Sequence, residues 1–291
     1  MKSHSSLSDI LSTSIAPILW GSTFLITTQY LPQGYPLTLA LLRALPVGLL
    51  MLLLLRQLPT GIWWWRTFVL GGLNFTVFLS MLFISAYRLP GGVAATVGAI
   101  QPLIVLLLSW QLFGQRPPRL ALLAGAIGIL GVALLVLTPS AELDAIGLIA
   151  GLLGSLAMAV GTTLSKRWHA PVPLLTFTAW QLSAGGLLLL PLALYFEPPL
   201  PELSGVNWLG FVYLGLISAG LSYWLWFRGL QKLQAAAAAS LGLLSAVTAT
   251  LIGWLALEQV LSVWQLFGGA VILLSVWMGQ TAQRGQNHTA A

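Results

Sequence analysis

Apolar residues along this chain neither alternate with polar ones nor thin out to one face of a helix. They run on in blocks of roughly twenty, separated by short polar or Pro-containing stretches. At 1.5 Å of rise per residue, about 20 apolar residues carry a helix across the hydrocarbon of a bilayer. Ten blocks of that kind occur, at approximately 10–29, 36–55, 67–87, 91–113, 119–137, 145–166, 173–195, 207–228, 234–256 and 261–280. Transmembrane strands would alternate in polarity over about ten residues, which these blocks do not. The pattern predicts an all-α, polytopic membrane protein of ten transmembrane helices, with connections too short for a separate soluble domain. The first block follows Lys2 as a signal peptide would, but it lacks a small-residue cleavage site and runs into Pro32 and Pro36. It is expected to be a retained helix.

Composition agrees: of 291 residues 58% are hydrophobic and 6% charged, against about 25% charged in soluble domains. The excess of twelve Lys and Arg over six Asp and Glu would suggest nucleic acid in a soluble protein. Here it sorts by loop instead. With the N-terminus inside, the cytoplasmic loops receive Lys2, Arg56, Arg66, Arg116, Arg119, Lys166, Arg167, Arg228, Lys232 and Arg284, whereas Arg88 alone faces out and Arg43 stays within the second block. Basic residues collect on the cytoplasmic side of membrane proteins. Both termini are therefore expected in the cytoplasm of a bacterium whose inner membrane holds the chain, with lipid rather than nucleic acid around it. Zero Cys excludes disulfides and thiolate metal sites.

The two halves echo each other near a spacing of 140 residues. Trp20-Gly21-Ser22-Thr23-Phe24 is matched by Val160-Gly161-Thr162-Thr163-Leu164, Ala94-Ala95-Thr96-Val97-Gly98 by Ala238-Ala239-Ser240-Leu241-Gly242, and Gln115 by Glu258. The echo keeps chain order and predicts two five-helix repeats, 1–140 and 141–291, within one transmembrane domain. Five spans, an odd number, would invert the second copy in the membrane. Inverted repeats place a transport path at their interface.

Trp20-Gly21-Ser22 in the first helix, Arg43 in the second, Pro102 in the fourth and Glu258-Gln259-Val260-Leu261 before the last resemble the EamA branch of the drug/metabolite transporter superfamily. The resemblance covers about residues 10–280. It implies export of amino acids, pigments or other metabolites through a central cavity, with the fifth and tenth helices peripheral. The branch's acidic residue ahead of the fifth helix is Gln115 here.

Candidate path residues follow from polarity at depth. Arg43 lies eight residues into its block, where an Arg costs at least about 2.5–3.5 kcal/mol. It should meet an anionic solute, or helix carbonyls or a neighbour such as Gln181. Pro102 removes a helical hydrogen bond and frees the carbonyl of Gly98 for a solute or water, with Gln101 beside it. Thr23, Asn74 and Ser245 supply further polar groups, and Thr163, Ser222, Ser240 and Thr248 are expected to bond within or between helices. Trp20, Trp180 and Tyr223 are the aromatic candidates for a cavity wall suited to aromatic or bulky apolar solutes. Trp63, Trp64 and Trp65 beside Arg66 read as interfacial anchors. No Asp or Glu falls mid-block, so Glu258 is the nearest candidate for ion coupling, and uniport or exchange is as well supported as proton antiport. Gly147 and Gly151 have the spacing that supports helix packing or a homodimer. Among other classes, a membrane-embedded enzyme lacks its reactive groups: no paired intramembrane Asp, no H-E-x-x-H, and the three His (His4, His169, His288) lie in tails and a loop. A channel-like facilitator lacks a charged ring or filter motif. A small-molecule substrate without catalytic residue, cofactor or metal is the expectation.

Overall fold

The computed structural model describes residues 7–88, 97–98, 100–114, 116–136, 144–256 and 262–289. The apolar blocks fold as helices, and no strand occurs among the described residues. In chain order they are α1 (Leu7–Tyr30), α2 (Pro36–Leu55), α3 (Trp63–Gly71), α4 (Phe78–Arg88), α5 (Gln101–Phe113), α6 (Arg119–Val136), α7 (Ala145–Trp168), α8 (Leu174–Phe196), α9 (Gly205–Val212), α10 (Ser222–Lys232), α11 (Ala235–Leu241), α12 (Leu244–Ala256) and α13 (Val263–Thr289). A π-helical stretch, Gly72–Val77, joins α3 to α4 in one rod, and a second, Tyr213–Leu221, joins α9 to α10. Among the described residues eight helical segments are long and apolar enough to cross a membrane, and α5 and α6 are shorter apolar helices.

Local chemistry sets the ends. Pro36 opens α2, where its missing N–H costs nothing. Gly114 closes α5 in the left-handed region at φ 69°, its N–H donating to Trp110 O. Asp144 caps α7 by accepting from Gly147 N at 2.7 Å.

Helix pairing has a regular form. The α3–α4 rod packs on α7 and α8, as the α9–α10 rod packs on α1 and α2. The α5 helix packs on α7 as α12 packs on α1, while α2 lies along α8 and α6 along α13. Glycines permit the closest approaches: a Cβ on Gly48 would stand 2.5 Å from Ser183 N, and one on Gly131 2.9 Å from Ile272 N. Gly151 faces Val97 and Ser85 of the same chain.

The α2–α8 pairing is held at its two ends by matching residues. After α8, the Glu197 carboxylate accepts from Leu37 N at 2.6 Å and Thr38 N at 2.7 Å, satisfying free donors in the first turn of α2. After α2, Gln57 accepts from the first turns of α8: Thr176 Oγ1 donates to its Oε1 at 3.0 Å and Trp180 Nε1 to its carbonyl at 2.7 Å. Gln57 and Glu197 stand 140 positions apart.

Candidate functional site

Arg43 is placed by α2 at 3% exposure, against the π-helical stretch Tyr213–Leu221. Its Nη2 donates to Ser218 Oγ at 3.0 Å and to Ser218 O at 3.2 Å. Ser218 O also accepts from Ser222 Oγ at 2.5 Å, and Ser218 Oγ shares a hydrogen bond with Thr23 Oγ1 at 2.8 Å. Ser22 Oγ and Tyr213 OH pair at 2.6 Å. A π-helical turn displaces carbonyls from the regular ladder, so Ser218 O can serve several donors; such turns are frequent at functional sites. Among the described residues no carboxylate lies within ion-pair distance of Arg43, and its Nε is buried without a partner.

The other π-helical stretch carries a second hub. Asn74, fully buried, donates through Nδ2 to Gln181 Oε1 at 2.8 Å and Ser165 Oγ at 3.3 Å. Asn74 Oδ1 and Gln181 Nε2 are buried without partners. Gly161 makes room for the amide: a Cβ there would stand 2.0 Å from Asn74 Oδ1. The Ser218 hub thus joins its rod to α1 and α2, and the Asn74 hub joins its rod to α7 and α8.

An aromatic group lies between the hubs. Phe75, next to Asn74, meets Tyr223 edge-on with centroids 4.6 Å apart. The Trp20 ring is 5.1 Å from Tyr223 and from Trp226, and Trp20 Nε1 donates to Ser222 Oγ at 2.8 Å. Trp226 Nε1 is buried without a partner.

Of the sequence candidates, Trp20, Thr23, Arg43 and Tyr223 therefore meet at one hub, and Asn74 and Gln181 at the other. Gln181 bonds Asn74 rather than Arg43. Trp180 lies apart, its ring 6.2 Å from Trp63 at the Gln57 end of α8. Trp63 is itself buried, with Arg66 5.0 Å over its ring, while Trp64 and Trp65 are exposed. Ser245 Oγ donates within its own turn to Gly242 O at 2.8 Å, and its backbone lies against Gly21. Pro102 falls in the first turn of α5. Residues 97–98 are helical as well, so the helical run is interrupted at Ile100, just before Pro102. Gly98 has open space at its Cα, Gln101 is half-buried, and Pro102 helps line a cavity of about 30 Å³ with Gln234, Ser240 and Ser275, room for about two waters. Glu258 and Gln115 lie outside the described residues.

The EamA-like transporter family matches residues 7–137 and again 145–279. The chain belongs to that family. Among relatives of this EamA-like protein, Protein PecM of Dickeya dadantii is 46% identical over 256 residues, covering 87% of this chain and 86% of PecM. The uncharacterized inner membrane transporter YedA of Escherichia coli K12 is 30% identical over 243 residues, 81% of this chain and 78% of YedA. A crystal structure 22% identical in sequence shares the fold at TM-score 0.81, over 96% of this chain and 98% of that one. The resemblance drawn from Trp20-Gly21-Ser22 and Arg43 is thus borne out at the level of the family, and the EamA-like chain is a membrane transporter of the drug/metabolite superfamily.

Sequence reasoning missed Ser218, Tyr213, Phe75 and Trp226, because a π-helical register cannot be read from hydropathy. It also missed Asp9, in the first turn of α1 just before the first apolar block. Asp9 is 4% exposed, 3.0 Å from Lys232 Nζ and 3.7 Å from Arg228 Nη2.

Proposed function

We propose that this protein is a secondary carrier of ten spans, built as an inverted five-plus-five repeat, that exports small organic metabolites across a bacterial inner membrane by alternating access. Amino acids and aromatic or amphipathic compounds are the solutes this reading favours. Several observations support the repeat. Advancing each apolar block by five exchanges the helix pairings among themselves, the π-helical stretches fall in the third and eighth blocks, and the family matches the chain twice in tandem. Gln57 and Glu197 clasp opposite ends of the same helix pair.

The observation that carries the transport reading is the contact between Arg43 and Ser218. A mid-membrane cation held by a hydroxyl and a carbonyl, at a seam between the two halves, is a group that a solute can address when the halves rock apart. In this reading both termini are cytoplasmic, and Glu258 is the coupling candidate in a carrier that otherwise works by uniport or exchange. Relatives named as transporters support a carrier over an enzyme or a channel-like facilitator.

Counterflow in proteoliposomes tests the proposal. Purified protein preloaded with amino acids or small aromatic metabolites should accumulate the labelled form transiently, and Arg43→Gln should slow it at least about tenfold. Failure of every solute in a broad panel to exchange, with folded protein in the vesicles, would remove it. The same vesicles with an imposed pH gradient test coupling, and a gradient without effect leaves uniport or exchange.

A further inference from the structure

The two hubs differ in one respect that bears on the solute. In each, a residue of an α2- or α8-type helix reaches the hub of a π-helical stretch: Arg43 to Ser218 on one side, Gln181 to Asn74 on the other. One is a cation and the other a neutral amide. Nothing described offsets the cation. Of the six acidic residues in the chain, Asp9 pairs with Lys232 and Arg228, Asp144 lies 3.5 Å from Arg88, and Glu197 caps α2. Glu142, Glu202 and Glu258 fall in connections between apolar blocks.

The neighbouring groups also ask for an acceptor. Arg43 Nε and Trp226 Nε1 are buried donors without partners, and a buried donor left unpaired opposes folding. Beside them Trp20 and Phe75 pack on Tyr223 with centroids 5.1 and 4.6 Å from its ring, contacts that a flat ring would replace at the same spacing when the halves move apart. An ammonium group would meet Arg43 and no carboxylate.

Resting on the carrier reading above, we infer that the site at Arg43, Ser218 and Trp20 takes planar aromatic monocarboxylates, binding the carboxylate at the guanidinium and the ring among the aromatics, and discriminates against amines and zwitterions. The carboxylate would replace the long Arg43–Ser218 O contact and supply an acceptor to Nε, forming the paired N–H···O geometry that guanidinium favours. An amino acid presents the same carboxylate but brings a cation about 2.5 Å from it, into a site whose only charge among the described residues is positive.

Five matched probes test this: phenylacetate, phenylacetamide, phenethylamine, phenylalanine and acetate. Each is titrated against the purified full chain by thermal shift and by competition in counterflow. Phenylacetate is expected to stabilise the protein at concentrations at least about tenfold below those needed for the other four. Arg43→Gln should erase the gap between phenylacetate and phenylacetamide. Ser218→Ala leaves Arg43 in place and should keep the preference, so it serves if the Arg43 variant does not fold. Phenylalanine or phenethylamine acting as well as phenylacetate would overturn the assignment while leaving the carrier reading intact, since a solute would still be recognised. A response to none of the five also overturns it, and exchange of some other solute in the broad panel then shows that only the ligand class was wrong.

Discussion

Arg43 reaches Ser218 on one π-helical stretch much as Gln181 reaches Asn74 on the other, so a charged and a neutral version of the same contact sit in one protein. Both tie a long helix to a rod whose hydrogen-bond register is already shifted. The difference between them is testable. Gln181→Ala should lower stability by about 1–3 kcal/mol, since it leaves buried Asn74 Nδ2 with only its longer bond to Ser165 Oγ, and should leave solute preference unchanged. Arg43→Gln should alter solute preference with a smaller stability change, because a glutamine amide can still donate to Ser218. Thermal melting and counterflow on the same preparations separate the two effects.

The glycines at the close crossings predict a second contrast. At Gly161 the added methyl of an Ala would meet a side chain, Asn74 Oδ1 at 2.0 Å, whereas at Gly48 it would meet backbone, Ser183 N at 2.5 Å. Overpacking costs about 1–3 kcal/mol when neighbours must shift. Gly161→Ala should therefore be partly rescued by Asn74→Ala, and Gly48→Ala should not be rescued by truncating Ser183. Melting temperatures of the singles and doubles, read as a cycle, decide it.

How far the sequence carried the fold follows from where hydropathy speaks. Block lengths located most of the described helix ends to within about four residues, since a membrane span has a length set by the bilayer, although α13 runs on to Thr289, past its block. The basic residues of the loops and the echo of Gly21 in Gly161 suggested orientation and duplication. Arg43 stood out because a cation in an apolar block has few harmless explanations. Ser218 did not stand out, since a serine in an apolar block can bond its own helix, as Ser245 does with Gly242 O. Only the π-helical register turns Ser218 toward both Arg43 and Thr23. Pro102 stood out for the reason Arg43 did: a proline within an apolar block interrupts a helical run, and the run at 97–98 is broken at Ile100 before α5 begins.

At the end of the bundle that the proposed orientation puts in the cytoplasm, Asp9 joins α1 to Lys232 and Arg228 of α10. Arg228 also donates to Ser12 Oγ at 2.8 Å, so the contact is a small network rather than one exposed pair. Alternating access that opens this end has to break it. Asp9→Asn should raise the accessibility of a single Cys introduced at Thr13 to a membrane-impermeant maleimide, by about fivefold or more if the closed form is favoured by at least about 1 kcal/mol through this contact. Combining Asp9→Lys with Lys232→Asp should restore protection. Unchanged labelling in Asp9→Asn would show that these ions do not hold the end closed.

The clasp at the opposite end has a carboxylate where its counterpart has an amide, and the two should not be equivalent. Glu197 accepts two backbone N–H groups from the first turn of α2, and a charged acceptor at a helix N-terminus is favoured both by hydrogen bonding and by the helix dipole. Glu197→Ala leaves both donors free and should destabilise the protein by about 1–2 kcal/mol, the usual effect of losing a helix cap. Gln57→Ala removes the acceptor of Thr176 Oγ1 but keeps the carbonyl that serves Trp180 Nε1, so its effect should be smaller. Hydrogen exchange gives the sharper readout. In Glu197→Ala the amides of Leu37 and Thr38 should exchange faster while those around Thr176 keep their protection, and the reverse pattern should appear for Gln57→Ala. Equal protection at both ends in either variant would mean that helix packing between α2 and α8, through Gly48 and Gly186, holds the pair without its end contacts.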